Sequence, residues 1–189
     1  MAHILQLNKC IVDIGYNISF YDFNFFGGQQ GIFNNNFNEF TGNLIRNGAY
    51  GIYQHGYYNG IYDNRLIIRG NIIESPYYMG IHIQYADSIK IERNQITMDA
   101  YTGSYALYMY YAMKGFRVYG NSINQPSSYY GVYMYNCDGT SGNRSLFANN
   151  MVYVGSDGSV IGLYLNDTDY ADIYNNNINL VASNTGTSA

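Results

Sequence analysis

The 189-residue chain has no tryptophan, two cysteines, two prolines and few charged residues. Asp, Glu, Lys and Arg make up 12% of it, against about 25% in an average soluble protein. Nine basic residues without a cluster, with a formal net charge of −4, exclude the basic patch that nucleic-acid and anionic-membrane binding require. Apolar residues reach 47%, but no run of about 18 is uninterrupted, so we expect no transmembrane helix.

The residues that are abundant favour β-structure. The chain contains 24 Tyr and 21 Gly and is rich in Asn, and all three are middling to poor helix formers. A helical bundle is therefore disfavoured. The first residues, MAHILQLNKCIVD, lack the basic region and apolar core of a secretory leader, so none is expected in them.

A repeat runs through the sequence. Residues 80–96 read GIHIQYADSIKIERNQI, residues 106–123 read ALYMYYAMKGFRVYGNSI, and residues 162–178 read GLYLNDTDYADIYNNNI. An asparagine recurs near the end of each copy at intervals of 23 to 29 residues, at Asn17, Asn43, Asn71, Asn94, Asn121, Asn150 and Asn176. A period in this range is typical of a solenoid, a propeller or another repeat array.

Apolar residues alternate with a spacing of two inside each repeat, which predicts strands and excludes the helical repeat classes. A propeller blade needs about 40 residues, more than this period. We therefore predict an all-β solenoid of about seven coils with three short strands per coil. In one coil the strands are predicted at residues 81–83, at 89–91 and from about 96.

The alternation also predicts inward columns and an asparagine ladder. One column is formed by Ile52, Ile81, Leu107, Val132 and Leu163. Because asparagine tolerates the left-handed conformation of a tight corner, we expect it at the turn after the second strand. Equivalent amides on stacked coils would lie about 4.8 Å apart, within reach of one another. The ladder is predicted to contain Asn43, Asn71, Asn94, Asn121, Asn150 and Asn176.

These repeats resemble the right-handed parallel β-helix of pectate-lyase-like proteins, above all bacterial surface and secreted members. The resemblance implies one β-helix segment over residues 1–181, a flexible tail or linker over residues 182–189, and a secreted or cell-surface location. It also implies that the segment belongs to a longer chain. The fold hosts lyases, hydrolases, epimerases, adhesins and phage tailspikes, so fold alone does not decide the activity.

Aromatic residues dominate the predicted outer face of the first strand. They are joined there by His82 and by either Gln54 or His55. Tyrosine offers an apolar ring and a hydroxyl, which complement the two sides of a sugar ring. The resemblance implies that polysaccharide lies on this face, whereas mutual stacking of the rings is the structural alternative. The predicted carbohydrate-binding residues are Tyr53, His82, Tyr108, Tyr110, Tyr133, Tyr135 and Tyr164.

Catalytic and metal-binding patterns are poor. The strongest catalytic candidates are His82, Asp87 and Lys90, which do not match the acid–base or calcium sets of the lyases and hydrolases. A Ca²⁺ ion near Asp167 and Asp169 is the one metal considered, without an EF-hand or nonapeptide pattern to support it. Cys10 and Cys137 are expected to be buried thiols too far apart for a disulfide.

Three functions remain open from the sequence. The favoured interpretation is a secreted or cell-surface module that binds polysaccharide or a cell-surface glycan along the tyrosine-rich face. The first alternative is a polysaccharide lyase or hydrolase, and the second is a non-catalytic scaffold or adhesin. Neither nucleic acid nor membrane insertion is expected.

Overall fold

The computed structural model describes residues 6–8, 11–14, 37–56, 62–101 and 103–182. Within these ranges every regular element is a β-strand, and no helix that would suit a membrane span is found there. The predicted all-β class is confirmed. Cys10, Asn17 and residues 183–189 of the predicted tail lie outside the described ranges, whereas Ala182 ends the last strand.

The strands are short and evenly distributed. They are β1 (Gln6–Asn8), β2 (Ile11–Ile14), β3 (Glu39–Thr41), β4 (Leu44–Asn47), β5 (Tyr50–His55), β6 (Asp63–Asn64), β7 (Ile67–Arg69), β8 (Ile72–Glu74), β9 (Met79–Asp87), β10 (Lys90–Glu92), β11 (Gln95–Thr97), β12 (Tyr105–Met113), β13 (Arg117–Tyr119), β14 (Ser122–Gln125), β15 (Tyr130–Tyr135), β16 (Ser145–Ala148), β17 (Met151–Ser156), β18 (Ile161–Asn166), β19 (Ala171–Tyr174) and β20 (Asn177–Ala182).

The strands form three parallel sheets. The first sheet has the order β18-β15-β12-β9-β5, with β6 also paired to β9. The second sheet is β1-β3-β7-β10-β13-β16-β19, and the third is β2-β4-β8-β11-β14-β17-β20. The predicted three strands per coil are confirmed. All three strands are described in five coils, fewer than the seven predicted, and β1–β4 belong to two further coils.

Alternation along each strand places one column of apolar side chains inside. Ile81 pairs in register with Leu107, and Leu107 with Val132, and all three are buried. The second and third sheets add Ile91 and Ile96 from the same coil. Burying each side chain of this size stabilises the fold by about 1.5–3 kcal/mol. The last coil is less covered, and its inward residues Ile173 and Ile178 are 44% and 38% exposed.

One polar side chain enters the core column. Gln54 pairs in register with Ile83 and is fully buried, so it faces inward, and His55 takes the outward position beside Gln84. The Gln54 amide donates a hydrogen bond to the Asp63 carboxylate and accepts one from Asn38. The buried amide is therefore satisfied, as a polar group in a core must be.

The six asparagines from Asn43 to Asn176 form a continuous buried or half-buried ladder. In each step, one Oδ1 accepts from both the backbone N–H and the side-chain amide of the preceding asparagine, as Asn121 does from Asn94 at 2.9 and 3.0 Å. The left-handed residue is the one before each ladder asparagine, not the asparagine itself, which corrects the predicted reason for its presence. These residues are Gly42, Gly70, Arg93, Gly120, Asn149 and Asn175.

A glycine near the start of four of the five main first-sheet strands permits close stacking of coils, whereas β12 has Ala106 at this position. A Cβ at Gly80 would lie 2.5 Å from the Ala106 carbonyl oxygen and 2.6 Å from Ile96 Cγ2. We expect Gly80→Ala to lower the free energy of unfolding by about 1–3 kcal/mol through overpacking. Urea denaturation would measure it. The control is Gly142→Ala, whose Cβ meets no atom within 4 Å, and equal midpoints for the two variants would contradict the prediction.

Candidate functional site

The solvent side of the first sheet carries aligned aromatic rings. Its central row is in register across five strands and consists of Tyr53, His82, Tyr108, Tyr133 and Tyr164. A second row contains His55, Gln84, Tyr110, Tyr135 and Asn166. A third, at the strand starts, contains Tyr50, Met79, Tyr105, Tyr130 and Ile161. We call the tyrosines of these three rows the tyrosine face.

Three tyrosine rings of the central row are nearly parallel. Tyr108 and Tyr133 have centroids 5.2 Å apart and planes 2° apart, and Tyr133 and Tyr164 follow at 4.8 Å and 12°. The centroid spacing follows the separation of neighbouring strands, about 4.8 Å. The regular coil therefore arranges equivalent tyrosines into a periodic array, as the sequence repeat requires.

The tyrosines of the third row, at the strand starts, contact the central row edge to face. Tyr130 lies at 86° to Tyr133 and Tyr105 at 76° to Tyr108, with centroids 5.4 Å apart in both pairs. Edge-to-face contacts of this kind are favoured by the ring quadrupole and contribute about 0.5–1.5 kcal/mol each. Mutual packing of the rings is thus part of what stabilises the first sheet.

The rings of the face are half-buried rather than fully exposed. Tyr53, Tyr108, Tyr110 and Tyr133 are all of intermediate exposure, because each ring is flanked by others. More exposed rings lie at the rim of the face, in the loops that precede the strands: Tyr77, Tyr78 and Tyr129 are 39%, 42% and 40% exposed. The Tyr77 and Tyr101 rings stack at 4.2 Å and join neighbouring coils along that rim.

His82 lies in the central row but is buried. Its ring is 4.6 Å from that of Tyr53 and 4.9 Å from that of Tyr108, and Tyr50 is edge-on at 6.0 Å. Nδ1 is 2.9 Å from Met79 Sδ, and Nε2 is 3.3 Å from Gln84 Oε1. Burial lowers the pKa of His82 to about 4, more than the opposing Gln84 contact raises it. The imidazole is therefore neutral at pH 7.

Strand alternation does not predict the position of two further tyrosines of the site. Tyr85 and Tyr111 directly follow outward residues and would point inward, but both have left-handed backbones, with φ of 53° and 52°. Their rings stack at 5.5 Å, and Tyr111 contacts Tyr110 at 4.6 Å. The equivalent residues of the next two coils, Asn136 and Asp167, are also left-handed. Asparagine and aspartate adopt that conformation readily, and this is the sequence signal for the bend.

The three catalytic candidates do not form one group. His82 contacts Met79 and Gln84, whereas the buried Asp87 carboxylate, at the end of the same strand, accepts a hydrogen bond from Lys114 Nζ at 2.6 Å. This ion pair raises the pKa of Lys114. Lys90 lies on β10 of the second sheet and is exposed. The candidate base His82 and the candidate cation Lys90 therefore lie on different sheets.

The chain matches the profile of a known protein family. The sequence profile of the family described as periplasmic copper-binding protein (NosD) matches residues 24–188. The chain belongs to the NosD family. NosD proteins are right-handed β-helices, which confirms the predicted relation to parallel β-helix repeat proteins. No curated protein and no solved structure matches the sequence. The periplasmic description of the NosD family agrees with the predicted secreted or cell-surface location.

The copper in the NosD description has no matching donor set in the described part of the chain. No group of three or more His, Cys, Asp or Glu side chains is close enough there to hold a metal. Met79 Sδ and His82 Nδ1 are soft and borderline donors that suit copper, but they are two, fewer than the three or four protein ligands of sites built from nitrogen and sulfur. The residues that the structure describes do not fit a copper centre.

Neither Cys137 nor the cluster of Asp167, Asp169 and Asp172 supplies a metal site. Cys137 is buried, and burial raises its pKa to about 12, so it is a protonated thiol and not a thiolate ligand. Asp172, in the cluster with Asp167 and Asp169, binds Arg144 through both carboxylate oxygens at 2.9 Å. The backbone N–H of Asp169 donates to Asp138 Oδ1 at 2.7 Å. In the described part of the chain, these carboxylates therefore do not come together as ligands for a calcium ion.

Proposed function

We propose that this NosD-family chain is an exported β-helix module that binds polysaccharide along the tyrosine face. The observation that carries the proposal is the in-register array of tyrosines on the first sheet, partly open to solvent. A polymer lying along the solenoid axis meets the same side chain at every coil. Shallow contacts with successive sugar units then add up, although each is modest.

The chemistry of the face supports a sugar ligand. Aromatic rings contact the apolar faces of sugar rings, and phenolic hydroxyls both donate and accept hydrogen bonds. Burial raises the pKa of Tyr108 to about 12 and also raises that of Tyr133, so both hydroxyls stay protonated at any physiological pH. The rows continue over five strands, which gives an extended surface rather than a closed pocket.

Affinity gel electrophoresis tests the proposal. We expect the double variant Tyr108→Ala/Tyr133→Ala to bind the retaining glycan about tenfold or more weakly, because two aromatic contacts of about 1 kcal/mol each are lost. Tyr119→Ala is the matched control, since Tyr119 is a half-buried tyrosine on the second sheet. It is expected to migrate as the wild type does.

The same experiment separates binding from scaffolding. Because the rings stabilise one another, the alanine variants are also examined by thermal unfolding, and Tyr108→Phe/Tyr133→Phe keeps the rings while removing the hydroxyls. Under a purely structural role, the alanine pair would lower the melting temperature and leave retention on every glycan equal to that of the wild type. That result would contradict the proposal and favour the scaffold or adhesin alternative.

A further inference from the structure

The charged residues of the molecule are segregated away from the tyrosine face. The eight basic residues in the described ranges lie outside the first-sheet strands, and three of them, Arg46, Arg69 and Arg117, form ion pairs across coils of the other two sheets. The Glu92 carboxylate, for example, joins Arg69 and Arg117 on neighbouring second-sheet strands at 2.9 and 2.7 Å. These basic residues are Arg46, Arg65, Arg69, Lys90, Arg93, Lys114, Arg117 and Arg144.

The first-sheet strands contain only two charged residues among those described, Asp63 and Asp87, and both are buried. Asp63 accepts a hydrogen bond from Gln54, and Asp87 is paired with Lys114. Tyr108, Tyr110, Tyr130 and Tyr133 carry no charge at neutral pH, because the pKa of a phenol is ordinarily about 10 and burial raises it further in these four residues. The face is therefore electrically neutral and rich in hydroxyl groups.

The charges at the rim before the first-sheet strands are negative. Asp99 lies in the loop before β12, next to the Tyr77–Tyr101 stack, and Asp157 lies exposed in the loop before β18. Two described basic residues, Lys114 and Arg65, lie at equivalent positions of the other rim. Lys114 is paired with Asp87 at 2.6 Å, and the Arg65 guanidinium lies 5.0 Å from the centroid of the Phe37 ring. A polymer of uronic acids on this face would meet like charge at the rim before the strands and no arginine or lysine of the first-sheet strands to bind its carboxylates.

We propose that the ligand of the tyrosine face is an uncharged polysaccharide, such as a neutral glucan, and that polyuronates are excluded. This inference rests on the proposed function and narrows its ligand class. Neutral sugars require apolar stacking and hydroxyl hydrogen bonds, which the face supplies. An anionic glycan requires cations, and none of the described basic residues lies on the first-sheet strands.

Affinity gels that contain either hydroxyethylcellulose or polygalacturonate, run at low salt with the full chain, test the ligand class. We expect retention by the neutral glucan and binding to polygalacturonate that is about tenfold or more weaker. The Tyr108→Ala/Tyr133→Ala variant should lose the neutral-glucan retention, while Tyr119→Ala keeps it. Repeating the gel at high salt should leave the neutral-glucan retention unchanged, because no ion pairs contribute.

The outcomes distinguish the inference from the proposed function. Retention by polygalacturonate that equals or exceeds retention by the glucan, and that the double alanine variant loses, would overturn the uncharged-ligand inference and leave glycan binding in place. Equal migration of wild type and double variant in both gels would overturn both. Retention by the glucan alone, lost in the double variant, supports both.

Discussion

Replacing Asn94 by alanine should lower the free energy of unfolding by about 3–5 kcal/mol. Asn94 Oδ1 accepts from the backbone N–H and the side-chain amide of Asn71, both at 3.0 Å. Its own amide donates to the Ile68 carbonyl and to Asn121 Oδ1, both at 3.0 Å. In the alanine variant, the partners of Asn94 in Asn71, Ile68 and Asn121 lose these hydrogen bonds inside the core. Each unsatisfied buried group costs about 1–3 kcal/mol.

Urea denaturation followed by circular dichroism measures this loss. The matched control is Asn124→Ala, an asparagine of the third sheet in the next coil whose side chain is exposed, and its effect should be within about 0.5 kcal/mol. A change below about 1 kcal/mol for Asn94→Ala would mean that water replaces the ladder bonds without cost. The ladder would then be a consequence of coiling and not one of its causes.

The fold was predictable because each coil repeats the same physical constraints. A period-two apolar pattern and one asparagine per repeat predicted three strands per coil, and the strands at β9, β10 and β11 lie where the pattern placed them. Register then follows, since a slip by one residue would expose the whole inward column. Ile81, Leu107 and Val132 are paired as predicted.

Local backbone conformation was harder to predict than pairing. Asparagine was expected to take the left-handed corner, but the preceding residue takes it, even where that residue is Arg93. The asparagine instead uses its side chain to join coils, a role that depends on neighbours not adjacent in sequence. Gln54 was ambiguous for the same reason, because its inward position requires a buried partner, Asp63, that alternation alone does not reveal.

The candidate site was predictable in position but not in environment. The sequence located the first-sheet tyrosines, yet the angle between Tyr130 and Tyr133 depends on rotamers that the repeat does not determine. Tyr85 and Tyr111 were missed because they break strand alternation through left-handed backbones. The burial of His82 depends on rings from the coils on either side, and this burial has a measurable consequence.

The stability of the protein should fall by about 3 kcal/mol more than that of His82→Tyr when the pH is lowered from 7 to 4. The pKa of the buried His82 is about 4, against 6.5 ordinarily, mainly because the rings of the tyrosine face remove water from it. Between these values the unfolded chain binds a proton that the folded chain does not, so folding weakens as pH falls. The difference between the two pKa values corresponds to about 3 kcal/mol.

Urea midpoints between pH 7 and 4, compared for wild type and His82→Tyr, measure the effect. Tyrosine suits the position, because Tyr53, Tyr108 and Tyr133 occupy it in other coils. Acid-sensitive pairs such as Arg144–Asp172 are present in both proteins, so their contribution cancels in the difference. If the variant folds poorly, His82→Phe serves the same purpose. If the wild-type and variant stabilities fall in parallel over this range, folding does not lower the pKa of His82. The central row is then open to water at this position.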